Sequence, residues 1–561
     1  MKFNELTTDF KETEIPHNYY PRPQLKRDSF ILLNGEWDFS EKDYAIKGIY
    51  DEKIIVPFPM ESKLSGIGRI HDKKKTIYYK KMFNLNYEKG KVLLHFGAVD
   101  CSCSVFLNGN HIFNNNGGYL PFTCDITEYI VNGDNTIELE VRDELSSLYP
   151  YGKQRYKRGG MWYTIVSGIW QSVWLEIVPE NYIKSIKITP SLDTLKLSVK
   201  GGENDKILIF EGKEYKFSGD NYQLKIDNPK LWSPEEPNLY DFELVSGEDK
   251  IESYFALRTI EIAEIKGKQR ILLNKKPYFF TGLLDQGYFP DGIFMPKSIE
   301  GFEFDLKNVK SLGFNMIRKH IKIEPDIYYY LCDKIGICIF QDMVNNGKYS
   351  FFKDTALPSL NLKKKKDNNM HRNKLERDIF KIYMLGTAKH LYNHPCVVYY
   401  TIFNEGWGQF CSDDMYKLLK EYDDTRIIDS TSGWFKNNLS DVESEHIYFK
   451  DIKLKPSNRP IILSEFGGYS YKIPEHSYNL KNTYGYKFYN NKDDFMNGLE
   501  DLYINQVLPY IKDGLCGCVY TQTSDVEDET NGLFTYDRKI IKVDCKKMIE
   551  INKKLIQEIG D

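Results

Sequence analysis

Two kinds of apolar pattern divide the chain. In residues 1–180, short alternating runs such as Lys91-Val92-Leu93-Leu94-His95-Phe96 and Thr136-Ile137-Glu138-Leu139-Glu140-Val141 are separated by turn signals, among them Asn108-Gly109 and Asn132-Gly133-Asp134. Alternation at period two marks a strand with one buried face, and Asn-Gly favours a tight hairpin turn. Residues 1–180 are therefore expected to form a two-sheet β-sandwich of the jelly-roll kind. Four further runs, Ile183–Ile188, Leu195–Val199, Ile207–Phe210 and Leu239–Leu244, lie within residues 181–264. That stretch has the length of a small immunoglobulin-like β-sandwich.

From residue 265 to 561 the pattern changes, and apolar runs alternate with longer helical stretches such as Asp326–Lys334 and Leu375–Tyr392. Strands at Tyr278–Gly282, Phe314–Arg318, Ile337–Asp342, Val397–Phe403, Arg426–Thr431, His446–Tyr448, Pro460–Glu465 and Cys516–Thr521 make eight strand–helix units. Eight such units close most naturally as a (β/α)8 TIM barrel, whose working face is the rim at the strands' C-terminal ends.

Polar residues at those ends are thus candidates for chemistry. Two apolar strands stop abruptly at a glutamate followed by glycine: Val397–Phe403 runs into Asn404-Glu405-Gly406-Trp407-Gly408, and Pro460–Leu463 into Ser464-Glu465-Phe466-Gly467-Gly468. By the strand count these end strands four and seven, on roughly opposite sides of the cylinder. Cleaving a glycosidic bond needs two carboxyls, one to protonate the leaving oxygen and one to act at the anomeric carbon. A separation of ~5–5.5 Å would give retention and ~6.5–9.5 Å inversion, which spacing along a chain cannot decide. Strand-end glutamates also serve in salt bridges, but two of the same form on one barrel favour the catalytic pair.

Composition narrows the class further. A 41% hydrophobic and 28% charged chain is an ordinary globular one, and its 41 Tyr, 33 Phe and 7 Trp suit either packed β-structure or sugar-stacking faces. A net charge of −4 gives no basic field for nucleic acid or anionic lipid. The run Lys363–Lys366 is read as a solvated loop. The N-terminal stretch lacks an apolar signal-like region and no run of ~18 apolar residues occurs, so a cytoplasmic, membrane-free protein is expected. The ten Cys fit a reducing compartment. The pairs Cys101/Cys103 and Cys516/Cys518 have no partners at metal-ligand spacing and read as buried apolar groups.

The chain resembles glycoside hydrolase family 2, the group of β-galactosidases, β-glucuronidases and β-mannosidases, over nearly its whole length. Asn404-Glu405 is similar to the family's acid/base motif and Ser464-Glu465-Phe466-Gly467 to its nucleophile motif. Gly117-Gly118-Tyr119-Leu120-Pro121-Phe122 with Asp125-Ile126-Thr127, and Ser167-Gly168-Ile169-Trp170-Gln171-Ser172-Val173-Trp174-Leu175-Glu176, resemble its N-terminal signatures. The resemblance implies a retaining exo-β-glycosidase with Glu405 as general acid/base and Glu465 as nucleophile. It further implies that Asn404 meets the sugar 2-OH, that Arg318 orients Glu465 and keeps it charged, and that Tyr448 is the family's tyrosine beside the nucleophile.

Other strand-end residues are candidate substrate contacts: Asp285 with Gln286 and Asp291, Asp342, Trp407 and Trp434. His320 and His446 read as hydrogen-bonded framework, and no metal or other cofactor is expected. The partner is a carbohydrate, with a homo-oligomer open.

The pocket departs from the family's pattern. The β-glucuronidases carry Asn-x-Lys just before a Gly-[IL]-Phe-Thr segment, and here Glu529-Thr530-Asn531-Gly532-Leu533-Phe534-Thr535 lacks that lysine. The large β-galactosidases place an aspartate shortly before the Ser-Gly-Ile turn, and Gly160-Met161-Trp162-Tyr163-Thr164-Ile165-Val166 holds no acid. Strand eight ends in Tyr520-Thr521-Gln522 where better-known members have tryptophan. The expected substrate is a β-galactoside first, with a β-hexuronide (galacturonide or glucuronide), if another cation replaces the lysine, or another β-glycoside as alternative. A non-catalytic carbohydrate-binding protein is the distant alternative.

Overall fold

A computed structural model describes residues 3–46, 48–356 and 367–560; the run Lys363–Lys366 lies outside them. The first unit is an antiparallel jelly-roll sandwich. A six-stranded sheet runs in the order Glu52–Val56, Gly35–Lys42, Thr76–Leu85, Gly133–Arg142, Ser102–Leu107, Asn110–Asn116. It faces a four-stranded sheet of Phe30–Leu32, Val173–Val178, Lys91–Phe96 and Phe122–Asp125. Alternation along Gly133–Arg142 places Ile137, Leu139 and Val141 in the core between the sheets and turns Glu138 and Glu140 outward. The Asn108-Gly109 turn has φ of 50° and 80°, the two positive values that this two-residue hairpin connection requires.

A three-stranded and a four-stranded sheet then build the immunoglobulin-like sandwich, with its own core around Leu197, Leu208 and Leu244. Arg27 locks the two sandwiches together, donating to Asp249 at 2.9 and 2.8 Å and to Glu176 at 3.1 Å. Trp232 joins this second sandwich to the barrel through a 2.7 Å bond from its indole N–H to the Asp333 carbonyl.

Barrel strands one to eight are Phe280–Asp285, Met316–Lys319, Cys338–Asp342, Val397–Asn404, Ile427–Ser432, Glu443–Ile447, Ile461–Phe466 and Leu515–Tyr520. All pair in parallel in the order 5-4-3-2-1-8-7-6, with no ladder among the described residues between five and six. The cylinder is near-closed, buried on both faces, and wrapped by helices including Asp326–Ile335 and Lys374–Leu391. Cys101, Cys103, Cys516 and Cys518 are free thiols within the packed interior. Among the described residues no helix is long and apolar enough to cross a membrane.

Candidate active site

Glu405 and Glu465 converge on one cleft at the barrel's C-terminal rim. Their routes there differ. Strand four ends at Asn404, and Glu405 follows in the left-handed region at φ 51°, its N–H still bonded to the Ser432 carbonyl at 3.0 Å. A non-glycine residue seldom holds that conformation, and here it turns the carboxylate off the strand into the cleft. Glu465 stays within strand seven. A register shift beside Ser464 brings Glu465 opposite His446 of strand six, and such bulges re-aim side chains at barrel rims.

The two carboxylates occupy different surroundings. Glu405 keeps 22% of its side chain exposed and Glu465 only 6%. Arg318 at the end of strand two gathers four strands: it donates to Asp342 at 2.9 and 3.0 Å, to the Ser464 carbonyl at 2.8 Å and to Asn404 Oδ1 at 2.9 Å. Its Nη1 also stands 3.2 Å from Glu465 Oε1. The Tyr448 hydroxyl donates to Glu465 Oε2 and lies 3.0 Å from the Thr521 hydroxyl. Burial is the largest influence on Glu465 and pushes its pKa up. The neighbouring His446 ring, the Arg318 guanidinium and the His320 ring, with the Tyr448 hydrogen bond, overcome it and hold the carboxyl well below the usual range. Glu465 is thus an ionised, positioned carboxylate.

The nearest oxygens of Glu405 and Glu465 and a ring nitrogen of His446 all lie within 4.8 Å of one another. Among the described residues this is also the group that could hold a metal ion, although a cation there would occupy the carboxylates themselves.

The candidates from sequence divide into two sets. Asn404, Tyr448 and Trp407 line the cleft with the two glutamates. Arg318 and Asp342 lie beneath it: Asp342 is fully buried, held by Arg318 and by the His320 ring at 2.6 Å. Asp285 is withdrawn into an ion pair with Lys319 at 2.6 Å and does not line the cleft. Asp291 accepts from the Thr8 N–H and hydroxyl at 2.9 and 2.7 Å, anchoring the N-terminal segment. Trp434 stays outside the lining, its ring 6.5 Å from that of His446.

Other lining residues stand outside the candidate contacts read from the sequence, although Met161, Trp162 and Glu529 fall in the two stretches where the pocket departs from the family. Lys153, Met161 and Trp162 enter from the N-terminal sandwich, and Tyr349, Asp354, Tyr486 and Glu529 from barrel loops. Trp162, Tyr349 and Trp407 form an edge-on aromatic wall with centroids 4.8 to 5.5 Å apart, and the Arg155 guanidinium covers the Trp162 ring at 4.0 Å. Glu529 accepts from the Tyr163 hydroxyl at 3.0 Å and the Gln522 amide at 2.8 Å; burial raises its pKa, and the nearby Lys153 charge opposes that.

Three family models match in order along the chain. The glycosyl hydrolases family 2 sugar-binding domain matches residues 7–179, the domain named for the family alone residues 180–258, and the family 2 TIM barrel domain residues 263–548. The chain is similar to a β-galactosidase of Thermoanaerobacter pseudethanolicus, 27% identical over 56% of this chain and 46% of that one. It is also similar to a β-galactosidase of Lactococcus lactis subsp. lactis, 24% identical over 75% of this chain and 41% of that one. The matches thus take in less than half the length of those curated relatives. Among solved structures, the β-D-glucuronidase of Dictyoglomus thermophilum has the same fold, with a TM-score of 0.74 at 19% identity over 95% of this chain and 98% of that one. The galacturonate-bound β-galacturonidase of Eisenbergiella tayi has it too, with a TM-score of 0.69 at 19% identity over 96% and 99%.

Proposed function

Because the chain belongs to glycoside hydrolase family 2, we propose that it is a retaining exo-β-glycosidase in which Glu405 is the general acid/base and Glu465 the nucleophile. The observation that carries this reading is the approach of their carboxylate oxygens to within 4.8 Å across one cleft. Retaining enzymes hold their carboxyls about 5–5.5 Å apart, with no room for a water between carboxylate and anomeric carbon.

In the first step Glu465 forms a bond to C1 while the C1–O bond to the aglycone breaks and Glu405 gives its proton to the departing oxygen. In the second, Glu405 takes a proton from water, whose oxygen replaces Glu465 at C1. Asn404 uses its amide oxygen to receive Arg318, which leaves its amide N–H to donate to the 2-OH. A closed floor on the barrel side and an aromatic wall on the other suit a terminal sugar with its aglycone pointing outward.

A β-galactoside is the first substrate to test, since the two relatives named above carry that activity in their names. A β-hexuronide is the second reading, and Lys153 favours it. That ammonium lines the cleft near Glu529 and, among the described residues, has no carboxylate within 4.0 Å; a uronate carboxylate would supply one. Against it, Glu529 shares the same pocket.

The test is kcat/KM on p-nitrophenyl β-galactoside, glucuronide, galacturonide, mannoside, glucoside and arabinoside, followed by ¹H NMR of the first-formed anomer. A first product in the β configuration agrees with retention; an α product, or binding without turnover of any of the six, overturns the proposal. Lys153→Met should abolish activity selectively if the preferred sugar is a uronide.

A further inference from the structure

Between the two glutamates stands a side chain with no place in the two-carboxylate scheme. His446, from strand six, is sealed from solvent. Its Nδ1 is 2.8 Å from Glu405 Oε1 and 3.5 Å from Glu465 Oε2. On the opposite edge its Nε2 is 3.0 Å from the Ser432 hydroxyl and 3.4 Å from Arg318 Nη1. A guanidinium can only donate, so the Nε2 lone pair faces Arg318 and the ring hydrogen belongs on Nδ1, between the catalytic carboxylates. The ring has one seat. A methyl at Gly433 would fall 2.6 Å from its Cγ, so the glycine leaves the space that the imidazole fills.

We propose that His446 is a positioning residue for proton transfer: its Nδ1–H holds Glu405 by Oε1, so that the carboxyl proton sits on Oε2 and turns toward the leaving-group oxygen. This rests on the reading of Glu405 as acid/base. When the C1–O bond to the aglycone breaks, the Oε2 proton passes to the departing oxygen and the Glu465 carboxylate bonds to C1. The charge left on Glu405 then falls on a carboxylate already receiving a hydrogen bond. A donor fixed where charge develops stabilises the transition state more than the ground state. The charged groups around the ring are Glu405 from the end of strand four, Glu465 from strand seven, Arg318 from strand two and Asp429 from strand five. Among the described residues, the side-chain hydrogen bond to the Glu405 carboxylate comes from His446 Nδ1.

The experiment compares phenyl and 2,4-dinitrophenyl β-glycosides of the sugar that the six-member panel selects, reading kcat/KM. The dinitrophenolate leaves without protonation, so only the phenyl glycoside reports on proton transfer. His446→Leu should lower kcat/KM on the phenyl glycoside about 100-fold and on the dinitrophenyl glycoside only a few-fold. His446→Asn, whose amide N–H lies close to where Nδ1–H was, should recover most of the phenyl activity. Should the Leu variant not fold, His446→Gln, with its donor displaced by one methylene, is read in the same way. Equal losses on both glycosides would mark His446 as framework and overturn the proposal, as would full phenyl activity in the Leu variant. Glu405→Gln separates the two levels. If it shows the leaving-group split and the His446 variants do not, the inference alone falls; if it lacks the split, or no panel sugar is turned over, the acid/base reading falls and takes the inference with it.

Discussion

At the scale of single residues, the site works by making two glutamates unlike. Glu465 is buried yet surrounded by donors, while Glu405 is part-exposed beside a histidine. A carboxyl whose pKa is depressed in the folded state stays ionised down through the acid range. Its stabilising contribution is present above the ordinary value of ~4.3 and is lost as pH falls toward the lower folded value. The acidic limb of kcat/KM should therefore lie below pH ~4.3 in the wild type. Tyr448→Phe removes one donor to Glu465 and should move that limb upward, with a loss of about 10- to 100-fold in kcat/KM; a pH–rate profile checks both. Residue identity also explains what the sequence could and could not disclose. Glu405 and Glu465 are legible because each interrupts an apolar strand where nothing structural asks for a charge. Asp285 and Asp342 interrupt strands in the same way, yet Lys319 and Arg318 claim them, and only three-dimensional pairing reveals that.

At the scale of elements, all eight barrel strands and the helices Asp326–Ile335 and Lys374–Leu391 fall within a few residues of where periodicity alone puts them. Long apolar runs between helices leave little choice of element. The departures are local: the left-handed turn at Glu405 and the register shift beside Ser464. Both aim the two glutamates of the proposed pair, and neither has a pattern at period two or 3.6 to betray it. The same shift sets His446 opposite Glu465, and a histidine legible only as framework also touches Glu405. Gly433 is the test of this local packing. Its φ of 83° already favours glycine, and an added methyl would strike the His446 ring. Gly433→Ala should destabilise the protein by about 1–3 kcal/mol and lower activity together, seen by thermal unfolding and kcat/KM on the same preparation.

At the scale of the whole molecule, the barrel supplies Glu405 and Glu465, the proposed catalytic pair, and the N-terminal sandwich completes the cleft. Lys153, Met161 and Trp162 cross from one to the other, held in part by the Gly160 N–H bond to Asp528 at 3.3 Å and the Tyr163 bond to Glu529. This convergence across domains was out of reach of the sequence, because residues far apart along the chain meet only after two cores have formed and docked. Trp162→Ala removes the wall without touching either carboxylate. It should cost up to about tenfold in kcat/KM for aryl glycosides, mostly through KM, with the melting temperature little changed. The central claim remains that Glu465 attacks the anomeric carbon from the face opposite the leaving group, and Glu465→Ala with added azide addresses it directly. The variant alone should keep its fold and lose about four or more orders of magnitude in turnover. Azide entering the vacated space should restore turnover of an activated aryl glycoside and yield the α-glycosyl azide. A β-glycosyl azide, or wild-type turnover without azide, would contradict the account.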